Sequence, residues 1–109
     1  MYKRRARLVF AALAPGLAER AARVALAHGA GWIEARPGPA GRIPADCDLL
    51  ITLDAAADAL GPDLPAGCRH IHWPLPAHPS DADIAARIEG LVGGMRLLAR
   101  LDGSGAPGA

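Results

Sequence analysis

The chain has 109 residues, enough for one domain that buries a single core without metal or disulfide staples. Its 12 lysines and arginines against 11 aspartates and glutamates leave a formal charge of +1, which excludes a global field for nucleic acid or anionic lipid. The two cysteines, Cys47 and Cys68, sit in no paired motif and do not suggest a disulfide scaffold, so reduced thiols are expected.

Lys3, Arg4, Arg5 and Arg7 form the one local excess of charge and read as a solvated end ahead of the first strand. The apolar stretch that follows is short and broken at Pro15-Gly16, which does not fit a secretion signal, and no run reaches transmembrane length. The cytoplasm is the expected compartment, with neither nucleic acid nor membrane as a partner.

In chain order, "ARLVFAAL" at 6–13 is a continuous apolar run that suits a strand buried on both faces, as in a parallel sheet. After Pro15-Gly16, Leu17, Ala21, Val24, Ala25 and His28 recur at helical spacing until Gly29, which predicts a helix over 16–28. "GWIEA" at 31–35 predicts a second strand, and the prolines and glycines of "RPGPAGRIPAD" predict an irregular exposed loop.

"CDLLITL" at 47–53 is the most strand-like segment and is expected at the centre of the sheet. A short helix at 55–60 and a fourth strand at 68–73, "CRHIHW", follow. Pro74, Pro76 and Pro79 then impose an extended loop. Ser80 with Asp83 predicts a helix N-cap, and Ile84, Ile88, Leu91, Val92, Met95 and Leu98 form an apolar stripe to about Leu101.

Gly90, Gly93 and Gly94 lie inside that helix, which implies either close packing against the sheet or a bend. "DGSGAPGA" at 102–109 has the composition of a disordered tail, leaving a single domain over 1–101. Right-handed crossovers turn this order of elements into a three-layer α/β fold, a four-stranded parallel sheet with helices on both faces. Its ligand site is expected beyond the carboxyl ends of the strands, first of all at the loop Ala14–Gly16.

The stretches "ADCDLLITLDAAADAL", "LPAGCRHIHWPLPAHP", "GLVGGMRLLARL" and "RLVFAALAPGLAERA" together make the chain resemble the low-molecular-weight protein tyrosine phosphatases, including their arsenate-reductase branch. The resemblance implies a flavodoxin-like strand order. It also implies a phosphate loop, Cys-x-x-x-x-x-Arg then Ser or Thr, between the first strand and helix, with a thiolate nucleophile and backbone N–H groups around the phosphate. Here Ala11 or Ala12 stands in place of the Cys, only Leu13 to Leu17 remain for the loop, and Arg20 and Arg23 lie within the helix.

Ala77 or His78 stands where the family carries the Asp of its Asp-Pro general acid. Nucleophile, phosphate clamp and acid are absent together, and such groups act as a unit. The expectation is therefore a catalytically inactive relative acting as a small binding or regulatory module. Its pocket by position is Ala12, Leu13, Ala14, Pro15, Gly16, Trp73 and His78, with no catalytic residue, no cofactor and, as partner, a protein or a small anionic ligand.

Other constellations carry the rival readings, an enzyme of altered, metal-assisted chemistry or a residual phosphatase that uses a displaced residue. Cys68, His70 and His72 alternate on one strand and so share a face, a candidate metal set to which His78 or Cys47 could add a ligand; hydrogen-bonded strand residues are the more common use of that pattern. His78 could donate a proton in place of the missing Asp, and Cys47 or Cys68 could be displaced nucleophiles, although neither precedes a glycine-rich turn. Trp32 and Trp73 are expected to cap the core or a pocket rim. A homodimer through the Trp73–Pro79 surface or the glycine-bearing helix is the remaining alternative.

Overall fold

The computed structural model describes residues 5–29, 31–38, 45–54 and 66–102. Along the chain these form β1 (Ala6–Ala11), α1 (Leu17–His28), β2 (Ile33–Pro37), β3 (Leu49–Thr52), β4 (Arg69–His72) and α2 (Asp81–Asp102). The sheet has the order β2-β1-β3-β4, and every pairing is parallel. This is the expected parallel α/β fold, of which the described residues show the sheet and the helical layer on one of its faces.

The apolar run of β1 divides by strand alternation between two faces. Leu8 and Phe10 point to the face that carries both described helices, where they meet Ala21 and Ala25 of α1 and Ile84, Ile88 and Val92 of α2. Val9 and Ala11 point the other way, with Leu50 and Cys47, and Cys68 packs against them. Phe10, Leu50, Ile51 and Ile84 are all but inaccessible, and each such side chain stabilises the fold by about 1.5–3 kcal/mol relative to exposure.

Alanines at 18, 21, 22 and 25 form most of the buried face of α1 and let the helix lie close to the sheet. Gly16 caps its start with φ 76°, a left-handed conformation that a residue with a Cβ adopts only at a cost. At its other end Gly29 donates to the Ala25 carbonyl at 2.8 Å, and the Gly29 carbonyl takes the N–H of Trp32 and Ile33, which starts β2.

The second strand therefore begins two residues later than 31–35 predicts and runs through Pro37, in a segment expected to be irregular. Because β2 is an edge strand, Pro37 can pair with Phe10 while its missing N–H faces away from the ladder. Gly38 then donates to the Phe10 carbonyl, and a Cβ there would collide with Val9 Cγ1, so a larger residue would have to displace that side chain. The expected central strand does lie inside the sheet, as β3 between β1 and β4.

Ser80 and Asp83 form a reciprocal cap at the start of α2: the Ser80 N–H donates to Asp83 Oδ2 at 2.8 Å, and the Asp83 N–H donates to Ser80 Oγ at 3.1 Å. Along the predicted stripe, Ile84, Ile88 and Val92 are buried, whereas Leu98 is 63% exposed. The three helix glycines do not pack against the sheet, since a Cβ at Gly90, Gly93 or Gly94 would meet nothing within 4 Å. The helix expected at 55–60 and the tail at 103–109 lie outside the described residues; Asp102 ends α2. Among the described residues no helix is long and apolar enough to cross a membrane.

Candidate functional site

Strand order reverses between β1 and β3, because the chain leaves β1 for β2 on one side and returns to β3 on the other. In open parallel sheets the crevice at the carboxyl ends of two such strands is where ligands bind. Here it is bounded by the loop from Ala12 to Gly16 after β1 and by Leu53 and Asp54 after β3.

The last rung between the strands is the Leu53 N–H donating to the Ala11 carbonyl at 3.1 Å. Beyond it the Asp54 carboxylate turns back onto the loop. Its Oδ2 accepts the Leu13 N–H at 3.1 Å and the Ala14 N–H at 3.0 Å. Two adjacent main-chain donors, the kind of group that holds an anion at this position of such a sheet, are thus taken by a carboxylate of the same chain.

The other groups named by sequence are distributed around this closure. Ala12 is half-buried, Leu13, Ala14, Pro15 and Gly16 are exposed, and so is His78. Trp73 is buried, its ring tilted against Phe10 at 5.7 Å between centroids, and its main-chain N–H donates to the Thr52 carbonyl. It belongs to the core, which removes the aromatic anchor from a dimer surface over Trp73–Pro79. Trp32 is half-buried, with the Arg96 guanidinium 6.0 Å from its ring centre.

Arg20 is committed elsewhere: its guanidinium donates to the Pro79 carbonyl and pairs with Asp81 at 3.2 Å, tying α1 to the start of α2. Two concavities formed by the described residues also lie away from the loop. One is a groove between α1 and α2, flanked by Arg23, His28, Asp81 and Glu89, and the other sits beside Arg7, Glu34 and Arg36.

The strand set Cys68, His70 and His72 does share one face, but its members turn to different partners. His70 Nε2 and His72 Nδ1 both meet Thr52 Oγ1, at 3.0 and 2.8 Å, while Cys68 Sγ donates to Cys47 Sγ at 3.3 Å. Among the described residues no group of three or more His, Cys, Asp or Glu side chains could hold a metal ion. Burial, and then the hydrogen bond from Cys68, pushes the Cys47 thiol up to about 12, so at neutral pH it rests as a protonated thiol, which does not fit a displaced nucleophile toward an outside substrate.

No protein-family model matches the chain, and no curated protein does.

Two groups escape a reading of the sequence alone. Asp54 stands there as a boundary of the central strand, and Thr52 as one of its β-branched residues. The signal for both is position: each lies at or just beyond the carboxyl end of the strand next to β1.

Proposed function

We propose that this chain is a non-catalytic relative of the low-molecular-weight tyrosine phosphatases, serving as a small binding or regulatory module. The observation that carries the reading is the Asp54 carboxylate on the amides of Leu13 and Ala14. It occupies, from within the chain, donors of the kind that a phosphate-binding loop offers to its ligand. The five-residue loop adds no Cys, Arg, Ser or Thr of its own, and Arg20 is engaged with Pro79 and Asp81. Phosphoryl transfer through a covalent intermediate needs a nucleophile, a clamp for the equatorial oxygens and a proton donor at one point.

The parallel sheet, its strand order and the position of the loop at the reversal support the kinship, and the sealed loop supports a binding role on another surface. The test is hydrolysis of an aryl phosphate by the purified chain, with Asp54→Ala and His78→Ala alongside. The expected result is no turnover above the uncatalysed rate for all three. Turnover that a single substitution in this chain abolishes would overturn the reading.

A further inference from the structure

At the opposite, amino-terminal end of the same strands, two thiols approach each other. Cys47 lies two residues before β3 and Cys68 one residue before β4; they are separated by 21 positions in sequence, with 3.3 Å between sulfurs. Both are free. A disulfide requires about 2.05 Å, so the sulfurs have roughly 1.3 Å to close.

The backbone around them is fixed on both sides. The Arg69 N–H donates to the Asp48 carbonyl at 3.0 Å, which holds the residues next to both cysteines at one level. Asp48 is anchored in turn to β1: its N–H donates to the Arg7 carbonyl, and its carboxylate accepts the Arg7 N–H at 2.8 Å. The two thiols differ in access, since Cys47 is 3% exposed and Cys68 is half-buried at the margin of the Val9, Ala11 and Leu50 cluster.

We infer that Cys47 and Cys68 form an oxidative modification site, in which Cys68 reacts first with a low-molecular-weight disulfide and Cys47 resolves the adduct to an intramolecular bond. In the first step the Cys68 thiolate attacks one sulfur of RSSR. That S–S bond breaks, Cys68–S–S–R forms, and one RS⁻ leaves. In the second, Cys47 passes its proton to the RS⁻ released in the first step and attacks Cys68 Sγ, the mixed disulfide breaks, and the second RS⁻ leaves and is protonated from water. The protein loses two electrons and two protons, and one RSSR becomes two RSH.

Burial keeps Cys47 protonated and makes it the resolving partner rather than the point of entry. The bond would pin the foot of the edge strand β4 to β3. It goes beyond the binding role proposed above, and the crevice at the carboxyl ends does not enter it.

The experiment treats the reduced full chain with oxidised glutathione at neutral pH, blocks remaining thiols by alkylation and reads intact mass and peptides. The expected product is a monomer that has lost two hydrogens and resists alkylation, with Cys47 joined to Cys68. Closing a loop of this length lowers the unfolding equilibrium constant by about a hundredfold, and dithiothreitol reverses it. Cys47→Ala is expected to stop at a glutathione adduct on Cys68, and Cys68→Ala to take up none in the same time. A lasting adduct on wild-type Cys68, a disulfide-linked dimer, unreacted thiols, or an adduct on Cys47 in Cys68→Ala would each overturn the inference.

Discussion

The Asp54 carboxylate and the Ala14 main-chain N–H meet at 3.0 Å across 40 positions of sequence. With the parallel bond to Leu13, this contact holds the loop after β1 against the end of β3. Asp54→Ala is expected to cost about 1–2 kcal/mol in urea unfolding, the range for losing a hydrogen-bonded charged group that is partly solvated. Asp54→Asn keeps one acceptor oxygen and is expected to lose less. Equal losses for the two substitutions would count against the carboxylate as the fastener.

Acid stability is expected to depend on Asp46. Its carboxylate bonds the Arg36 guanidinium and lies 3.6 Å from Arg7, and chiefly the hydrogen bond from Arg36 holds it below the usual carboxylate range. A carboxyl whose folded-state pKa is depressed stabilises the fold above its unfolded value, near pH 4, and that contribution disappears as the pH falls through the folded value. Between pH 5 and pH 3, roughly, Asp46→Asn should therefore lose less stability than the wild type. Chemical denaturation midpoints measured across that interval check the sign.

Ser80→Ala removes the acceptor for the Asp83 N–H at the start of α2 and is expected to cost about 1 kcal/mol. Asp83→Ala removes the reciprocal bond. Because the two groups serve the same cap, the double variant should cost less than the sum of the singles, which a double-mutant cycle measures.

Gly90→Ala, Gly93→Ala and Gly94→Ala are expected to stabilise the protein, each by up to about 1 kcal/mol, because all three positions are helical and open. Thermal unfolding of the triple variant reads the effect. A fall in stability would restore the close packing that the sequence suggested.

What the sequence discloses and what it hides follow from the range of the forces involved. Leu8 to Phe10 and Leu50 to Ile51 are apolar at consecutive positions because both faces of the central strands are covered, and that pattern is local. The Ser80 and Asp83 cap spans three residues and is equally legible. Pro37 is different: a proline breaks a central strand but not an edge strand, and edge position is a property of the whole sheet. The helix glycines likewise say that a Cβ is absent, not what stands opposite.

The candidate site was legible as a place and not as an arrangement. The loop Ala12–Gly16 announces itself by a strand, a break and a helix, and its lack of reactive side chains is plain. The partner of its amides lies 40 positions away and is brought there by the return of the chain from β2 to β3. The closeness of Cys47 and Cys68 has the same origin, since it requires knowing that β3 and β4 are neighbours in register.

Thr52 is fully buried and has a single hydroxyl hydrogen, yet its oxygen meets a ring nitrogen of both His70 and His72. It can donate to one imidazole only, so at least one ring must donate to it, and when the hydroxyl donates to one ring the other supplies the proton of the second contact. Exchanging donor and acceptor requires both rings to change tautomer together. A contact that holds β4 to β3 thus links the tautomers of two imidazoles through one rotating hydroxyl.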